Sequence, residues 1–418
     1  MASGVDTRVD QPPARSGALA TTFRAFQYPN FRRMWAGAFT STTGTWLQEV
    51  AQSWLVYTLT GSTVLLGLTA FLAGAPILLF SLIGGVVADR MDRRKLLLLS
   101  QYTQMTSALV LALLLASGKV EIWHILALAF VNGTAQAFGG PAYQALIPSL
   151  VEPQHLQNAI ALMTIQFNLA RVIGPVIAGF AMETVGPAAC FALNGLSFVA
   201  VIFALRTLHV EFVPKKSEER ILTSLREGLR FVFQHASMAS LIVLSFLTTG
   251  LGVPIITFLP TFAKDVFGMG PLGYSTMLAI SGAGSVVGAL LVAWIGHVRH
   301  KGRIALLMLV ALGVFVAAFA KSPSYLVSCL FLFLSGLAVL SVFTMISALV
   351  QGLAPEKLRG RIVSVYNLAF RGGMPLGNLA TGFLARSFSP QAALLGNGAL
   401  LAAVGIYYLA GQRAVRRL

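Results

Sequence analysis

Gly84-Gly85-Val86-Val87-Ala88-Asp89-Arg90-Met91-Asp92-Arg93-Arg94-Lys95 is a charged turn between two uncharged apolar runs, 64–88 and 96–117. A membrane-crossing helix needs about 20 apolar residues, and each run supplies them. Six charges therefore crowd into a connection too short for anything but a tight turn between two spans. Four of the six are basic, which predicts that the turn faces the cytoplasm.

The rest of the chain repeats this pattern. Its 418 residues are 56% hydrophobic and 11% charged, with a mean hydropathy of +0.78, whereas a soluble chain carries about a quarter of its residues as charges. The +16 net charge does not read as a nucleic-acid footprint. The basic residues sit in short connections between apolar runs and form no continuous basic face, so no nucleic-acid partner is expected. Cys190 and Cys329 fall inside spans in different halves and predict buried thiols without a disulfide. Residues 1–30 hold no secretory-type apolar core. With Asp6, Asp10, Pro12 and Pro13 they read as a disordered cytoplasmic arm.

Twelve spans are expected, near 33–58, 64–88, 96–117, 122–147, 157–184, 188–206, 237–262, 272–295, 304–320, 324–349, 362–386 and 391–411. They divide into an N-terminal six-helix bundle (31–206), a cytoplasmic linker (207–235), a C-terminal six-helix bundle (236–411) and a cytoplasmic tail (412–418). Within the linker, apolar residues at 221, 222, 225, 229, 232 and 233 alternate with Arg226, Glu227 and Arg230, the pattern of an amphipathic helix on the membrane surface. Twelve spans put both termini on one side. That side then receives 24 Lys and Arg, against Lys119, Lys264, Lys321 and Arg386 on the other. A miscount by one helix would scramble this separation.

An internal repeat supports two halves. Pro153-Gln-His-Leu156 resembles Pro355-Glu-Lys-Leu358, and each precedes a span with proline and glycine near its centre, Gly174-Pro175 and Pro375-Leu-Gly377. The turn Arg299-His-Lys-Gly-Arg303 is a worn copy of the opening motif.

The pattern Gly85-x-x-x-Asp89-Arg90-x-x-Arg93-Arg94 resembles the signature of major facilitator superfamily transporters, with Asp92 where glycine is usual. Aspartate tolerates a left-handed turn, so the departure is expected to be mild. Gln52-Ser-Trp54, Pro141-Ala142-Tyr, Asn168-Leu-Ala-Arg171 and Arg359-Gly-Arg361 resemble the enterobactin-exporter-like branch, which holds siderophore, macrolide and multidrug exporters. The resemblance implies an all-α membrane fold of two pseudo-symmetric six-helix bundles, a monomer in the plasma (inner) membrane, and efflux by proton antiport. It also implies that Asp89 latches the start of the eleventh span, with Gly85 permitting close approach and Arg90, Arg93 and Arg94 completing the gating motif. Gly174-Pro175 with Gly179 resembles an antiporter signature in the fifth span, with Ala170 and Ala178 replacing two of its glycines.

Three charges remain at mid-membrane depth: Glu49, Arg171 and Arg371. A charge there costs about 2.5–3.5 kcal/mol on insertion scales and needs a partner or a water-filled cavity. Thr45, Gln48, Glu49 and Gln52 form one polar face on the first span. Asn132 and Gln136 do so on the fourth, Thr164, Asn168 and Arg171 on the fifth, and Ser364, Asn367, Arg371 and Asn378 on the eleventh. These stripes predict a central cavity lined by four helices, the alternative being polar glue between helices. Glu49 is the lone carboxylate at that depth and the candidate proton carrier, with Arg171 its expected partner. Two arginines leave the cavity positive, which favours an anionic or mixed-polarity cargo.

The six histidines are scattered at span ends, and no phosphate-binding loop occurs, so neither a metal, a cofactor nor ATP is expected. The expected function is secondary transport of a small amphipathic molecule. A lysophospholipid flippase of the same fold is the alternative, and a polytopic membrane enzyme would need more acid and base groups than Glu49.

Overall fold

The computed structural model describes residues 23–208, 221–294, 300–411 and 413–416. These residues fold as long helices, and the caps explain where each one begins and ends. Helix α1 (Pro29–Thr60) starts at a proline, whose missing N–H is not needed in a first turn, and stops at Gly61, which takes a left-handed conformation with φ 60°. Ser62 then caps α2 (Thr63–Arg90) by accepting from the Leu65 amide. Next come α3 (Arg93–Ala116), α4 (Ile122–Leu146), α5 (Leu156–Thr184) and α6 (Pro187–Thr207). The two copies of the sequence repeat each form a short 3-10 turn, Pro153–His155 and Glu356–Leu358, directly before a long helix.

Helix α7 (Ile221–Gln234) opens the second part. The expectation of a surface amphipathic helix is met in period. In this structure the helix packs on the helix that begins at Arg359. Gly228 lies so close that an added Cβ would stand 2.8 Å from the Arg361 carbonyl oxygen, and Glu227 pairs with Arg361. After it, α8 (Ala236–Val266) is broken. Two wide π-type segments, Thr248–Gly252 and Phe262–Val266, interrupt it around Pro254 and Pro260. The chain continues as α9 (Pro271–Trp294), α10 (Lys301–Lys321), α11 (Tyr325–Leu353), α12 (Arg359–Ser387) and α13 (Pro390–Gly411).

Nine of these helices among the described residues are long and apolar enough to cross a membrane. The remaining long ones, α1, α4 and α12, carry the polar stripes of Glu49, Gln136 and Arg371, which lower their hydropathy. The chain is thus an all-α polytopic membrane protein.

Helix pairing repeats along the chain. α1 packs on α5 and α6, α2 on α4, and α3 on α4 and α6. The same set recurs as α8 on α12 and α13, α9 on α11, and α10 on α11 and α13. Two seams join the sets, α2 against α12 and α5 against α9.

Glycines let these seams close. A Cβ on Gly67 would meet the Asn378 carbonyl oxygen at 2.5 Å, and one on Gly74 would meet Pro375 at 2.5 Å. Gly382 similarly faces Thr63, Gly179 faces Ser275, and Gly282 faces Arg171. These approaches run from the end away from the charged turn as far as mid-helix, at Gly282. Gly85, Gly140, Gly352 and Gly360, near the turn, meet nothing within 4 Å. The close glycine approaches between the two sets are therefore confined to one part of the seams, and the end near the charged turn, here called the parted end, has none at Gly85 or Gly360.

The charged turn corrects the expectation for Asp92. Its backbone is not left-handed (φ −58°, ψ 110°); its carboxylate caps α3 by accepting from the Arg94 and Lys95 amides at 2.9 and 3.4 Å. The aspartate replaces a turn glycine with a helix cap.

Candidate functional site

The polar face of α1 divides into two parts once its neighbours are in place. Thr45 and Thr43 donate to carbonyls one turn back in their own helix, which satisfies hydroxyls without any partner helix. Gln48 is buried and accepts from Asn194 of α6 at 2.7 Å. It is therefore helix glue and not a cavity residue, contrary to the stripe reading. Its neighbour Glu49 behaves differently. Its side chain is accessible at mid-membrane depth. Gln52 is half-buried one turn further on.

The Gly174-Pro175 pair sets the position of Arg171. Helix α5 runs through Pro175 without interruption, and Gly174 lets it press on α1, where a Cβ would stand 2.5 Å from Trp46 Cβ. One turn earlier, the Arg171 guanidinium lies 5.8 Å from the centre of the Trp46 ring, a cation–π contact. From there it interacts electrostatically with Glu49. Asn168 is half-buried and donates back to Thr164 of its own helix.

Gln136 is exposed, and Asn132 is half-buried with its side-chain oxygen unpartnered. On α12, Arg371 and Asn367 are both accessible, whereas Asn378 is fully buried in the α2–α12 seam. Asn378 thus leaves the predicted cavity stripe.

The gating motif also separates. Arg93 donates to the Ala145 carbonyl of α4 at 3.0 Å, and Arg94 to the Arg206 carbonyl of α6 at 2.6 Å. Both bonds stay within one set of helices and brace it. Arg90 is exposed, and Gly85 makes no close approach in this conformation. The side chain of Asp89 lies outside the described residues.

The opposite end holds a group of contacts that sequence reasoning missed. Tyr57 of α1 donates to the Asp265 carboxylate of α8, and Lys264 sits 5.8 Å from the centre of the same ring. Trp54 stacks on Tyr274 of α9, centroids 5.8 Å apart. Tyr274 also lies within electrostatic reach of Glu49. Thr63 donates to the Gly382 carbonyl at 3.1 Å. Aromatic residues at span ends are ordinary interfacial anchors, so nothing in their spacing marked them as bridges.

A groove of about 420 Å³ on the flank of α3 and α4, lined by Tyr102, Thr106 and Val131 among others, holds no charged side chain and is not lined by Glu49. Among the described residues no group of three His, Cys, Asp or Glu is placed to hold a metal ion.

The profile of the transmembrane secretion effectors matches residues 20–414. The chain belongs to that family of the major facilitator superfamily. Enterobactin exporters are similar to it throughout. The one from Shigella boydii serotype 4 is 29% identical over 397 residues, 93% of each chain, and the one from Escherichia coli O139:H28 is 28% identical over the same length. Its fold is similar to that of the nucleoside transporter NupG (TM-score 0.72, 14% identity, 91% of this chain and 98% of that one). A D-xylose–proton symporter is also similar (TM-score 0.72, 13% identity, 94% and 99%). The protein is a secondary transporter of the efflux branch and not an enzyme.

Proposed function

We propose that this effector exports a small amphipathic molecule in exchange for protons, by alternating access between two six-helix bundles in the plasma (inner) membrane. The bundles are residues 31–206 and 236–411, twelve spans in all, joined by 207–235, with both termini cytoplasmic and one chain as the working unit. The repeated helix pairing and the two symmetric seams support this division. With the charged turn on the cytoplasmic side, the parted end of the seam is the inward end. The structure then represents a state from which cargo is loaded.

One observation carries the reading: Glu49, a carboxylate at mid-membrane depth, is accessible and lies within electrostatic reach of Arg171. Its ionised carboxylate offers a hydrogen-bond acceptor to a donor group on the cargo. A proton arriving at the same oxygen removes that acceptor, so proton and cargo compete for one site. Competition of this kind is what exchange in opposite directions requires. The names of the exporter relatives favour a siderophore or drug as cargo.

Proteoliposomes containing a pH-sensitive dye and an imposed pH gradient test this. For a cargo found in a panel of siderophores, including enterobactin, and macrolides, the gradient should collapse with the native chain and persist with Glu49→Gln. Equal collapse in both overturns the role of Glu49.

A further inference from the structure

We propose that Arg371 is the seat for an anionic group of the cargo, a carboxylate, sulfonate or phosphate carried on an apolar body. This rests on the reading of the cleft as the transport path and names the chemical class that the path selects.

Depth comes first. Arg371 stands twelve residues into α12, about 18 Å along the helix from Arg359, beyond the reach of a snorkelling side chain. Direction comes second. Residues 375, 378 and 382 fall on the same helical face as 371, and they pack on α2, with the adjacent Gly372 facing Leu78. Arg371 is therefore turned toward the other bundle, immediately beyond the last close approach, where the seam parts. Its side chain is accessible there.

Charge comes third. Among the described residues Glu49 is the acid at that depth, and it lies within electrostatic reach of Arg171. No carboxylate pairs with Arg371 among the described residues. The cleft thus presents one compensated and one uncompensated guanidinium. Arg171 is additionally held on the Trp46 ring, so the free fork is that of Arg371. An uncompensated cation between low-dielectric walls attracts an anion far more strongly than the same group in bulk water. Asn367, accessible one turn away on the same face, adds a second donor. Met374, 45% exposed, and Phe370, packed edge-on against Phe343 at 4.7 Å, supply apolar surface beside it. A cargo with an acidic end on Arg371 and a donor group on Glu49 would span the two bundles.

The test uses the full chain in phosphatidylcholine nanodiscs and a matched pair of fluorescent probes, dansylglycine (anionic) and dansylamide (neutral). The native chain should bind dansylglycine more tightly. Arg371→Gln should weaken dansylglycine by about tenfold, the loss of one charge-assisted fork, and change dansylamide by less than about twofold. Arg371→Lys, which keeps the charge and loses the fork, should fall between. Equal loss of both probes in Arg371→Gln, no loss of either, or a native chain indifferent to the probe's charge overturns the proposal. Replacing the lipid with phosphatidylglycerol separates two sources of anion. Competition with dansylglycine points to a lipid headgroup and its absence to a free solute, and Arg371 remains the seat in both. Binding needs no proton gradient. Discrimination by Arg371 without proton-coupled flux would therefore sink the exchange reading and leave this one standing.

Discussion

The two ends of the seam between the helix sets are built on different principles. The closed end is cemented by close approach at Gly67, Gly74, Gly179, Gly282 and Gly382, with Tyr57–Asp265 and Trp54–Tyr274 above it. The parted end has glycines too, Gly85 and Gly360, but they face open space. Its arginines are tied within their own set, Arg93 to Ala145 and Arg94 to Arg206. Small residues allow contact, and they require it only where the partner is present. The closed end also contains a discordant group. Asn378 is fully buried there with neither side-chain polar atom hydrogen-bonded. An unsatisfied buried amide costs roughly 1–3 kcal/mol, so this seam is held less tightly than its packing alone would suggest. A surface that must open gains from such a weakness.

The comparison breaks most sharply at the glycines. Gly67→Val drives a side chain into the Asn378 backbone, which cannot yield. A stability loss of about 1–3 kcal/mol or a shift away from this conformation is expected, read as a lower melting temperature or as altered protease access to the Tyr57 end. Gly85→Val should leave the melting temperature unchanged, because nothing lies within 4 Å, and should still slow transport by obstructing closure of the parted end. Equal melting temperatures for the two variants would mean that the ends do not differ as described.

Tyr57→Phe removes the hydrogen bond to Asp265 and leaves the ring under Lys264. A neighbouring carboxylate makes this bond worth about 1–2 kcal/mol, reduced by its exposure, so a several-fold rise in the outward-open population is expected in spin-label distance measurements. Asp92→Ala should cost about 1 kcal/mol in thermal stability, whereas Asp92→Gly should cost only a few tenths, since glycine is a tolerable cap. Glu227→Gln at the exposed pair with Arg361 should likewise change stability by no more than about 1 kcal/mol.

Helix positions were legible because their signals are local. Pro29, Gly61, Ser62, Pro187, Pro271 and Pro390 stand at helix boundaries, and each acts through its own backbone. Glu49 and Arg171 stood out in the sequence because an intramembrane charge is costly enough to demand a partner or water. Gln48 was misassigned because periodicity places it beside Glu49 and cannot show that Asn194, 146 residues away, already occupies it. Asn378 was misassigned for the same reason, its stripe running from open cleft into closed seam. The breaks in α8 and the docking of α7 on α12 depend on tertiary contacts through Gly250 and Gly228, which carry no periodic signal.

Paired distances across both ends provide the most direct test that the bundles rock about Glu49. Spin labels at Met91 and Lys357 report the parted end, and labels at Leu59 and Met269 report the closed one; all four positions are exposed. Replacing Glu49 with Gln, to mimic its protonated form, should shift the two distance distributions in opposite directions, one end closing as the other opens. Distances that move together, or that ignore the charge at Glu49, would contradict alternating access controlled by that carboxylate.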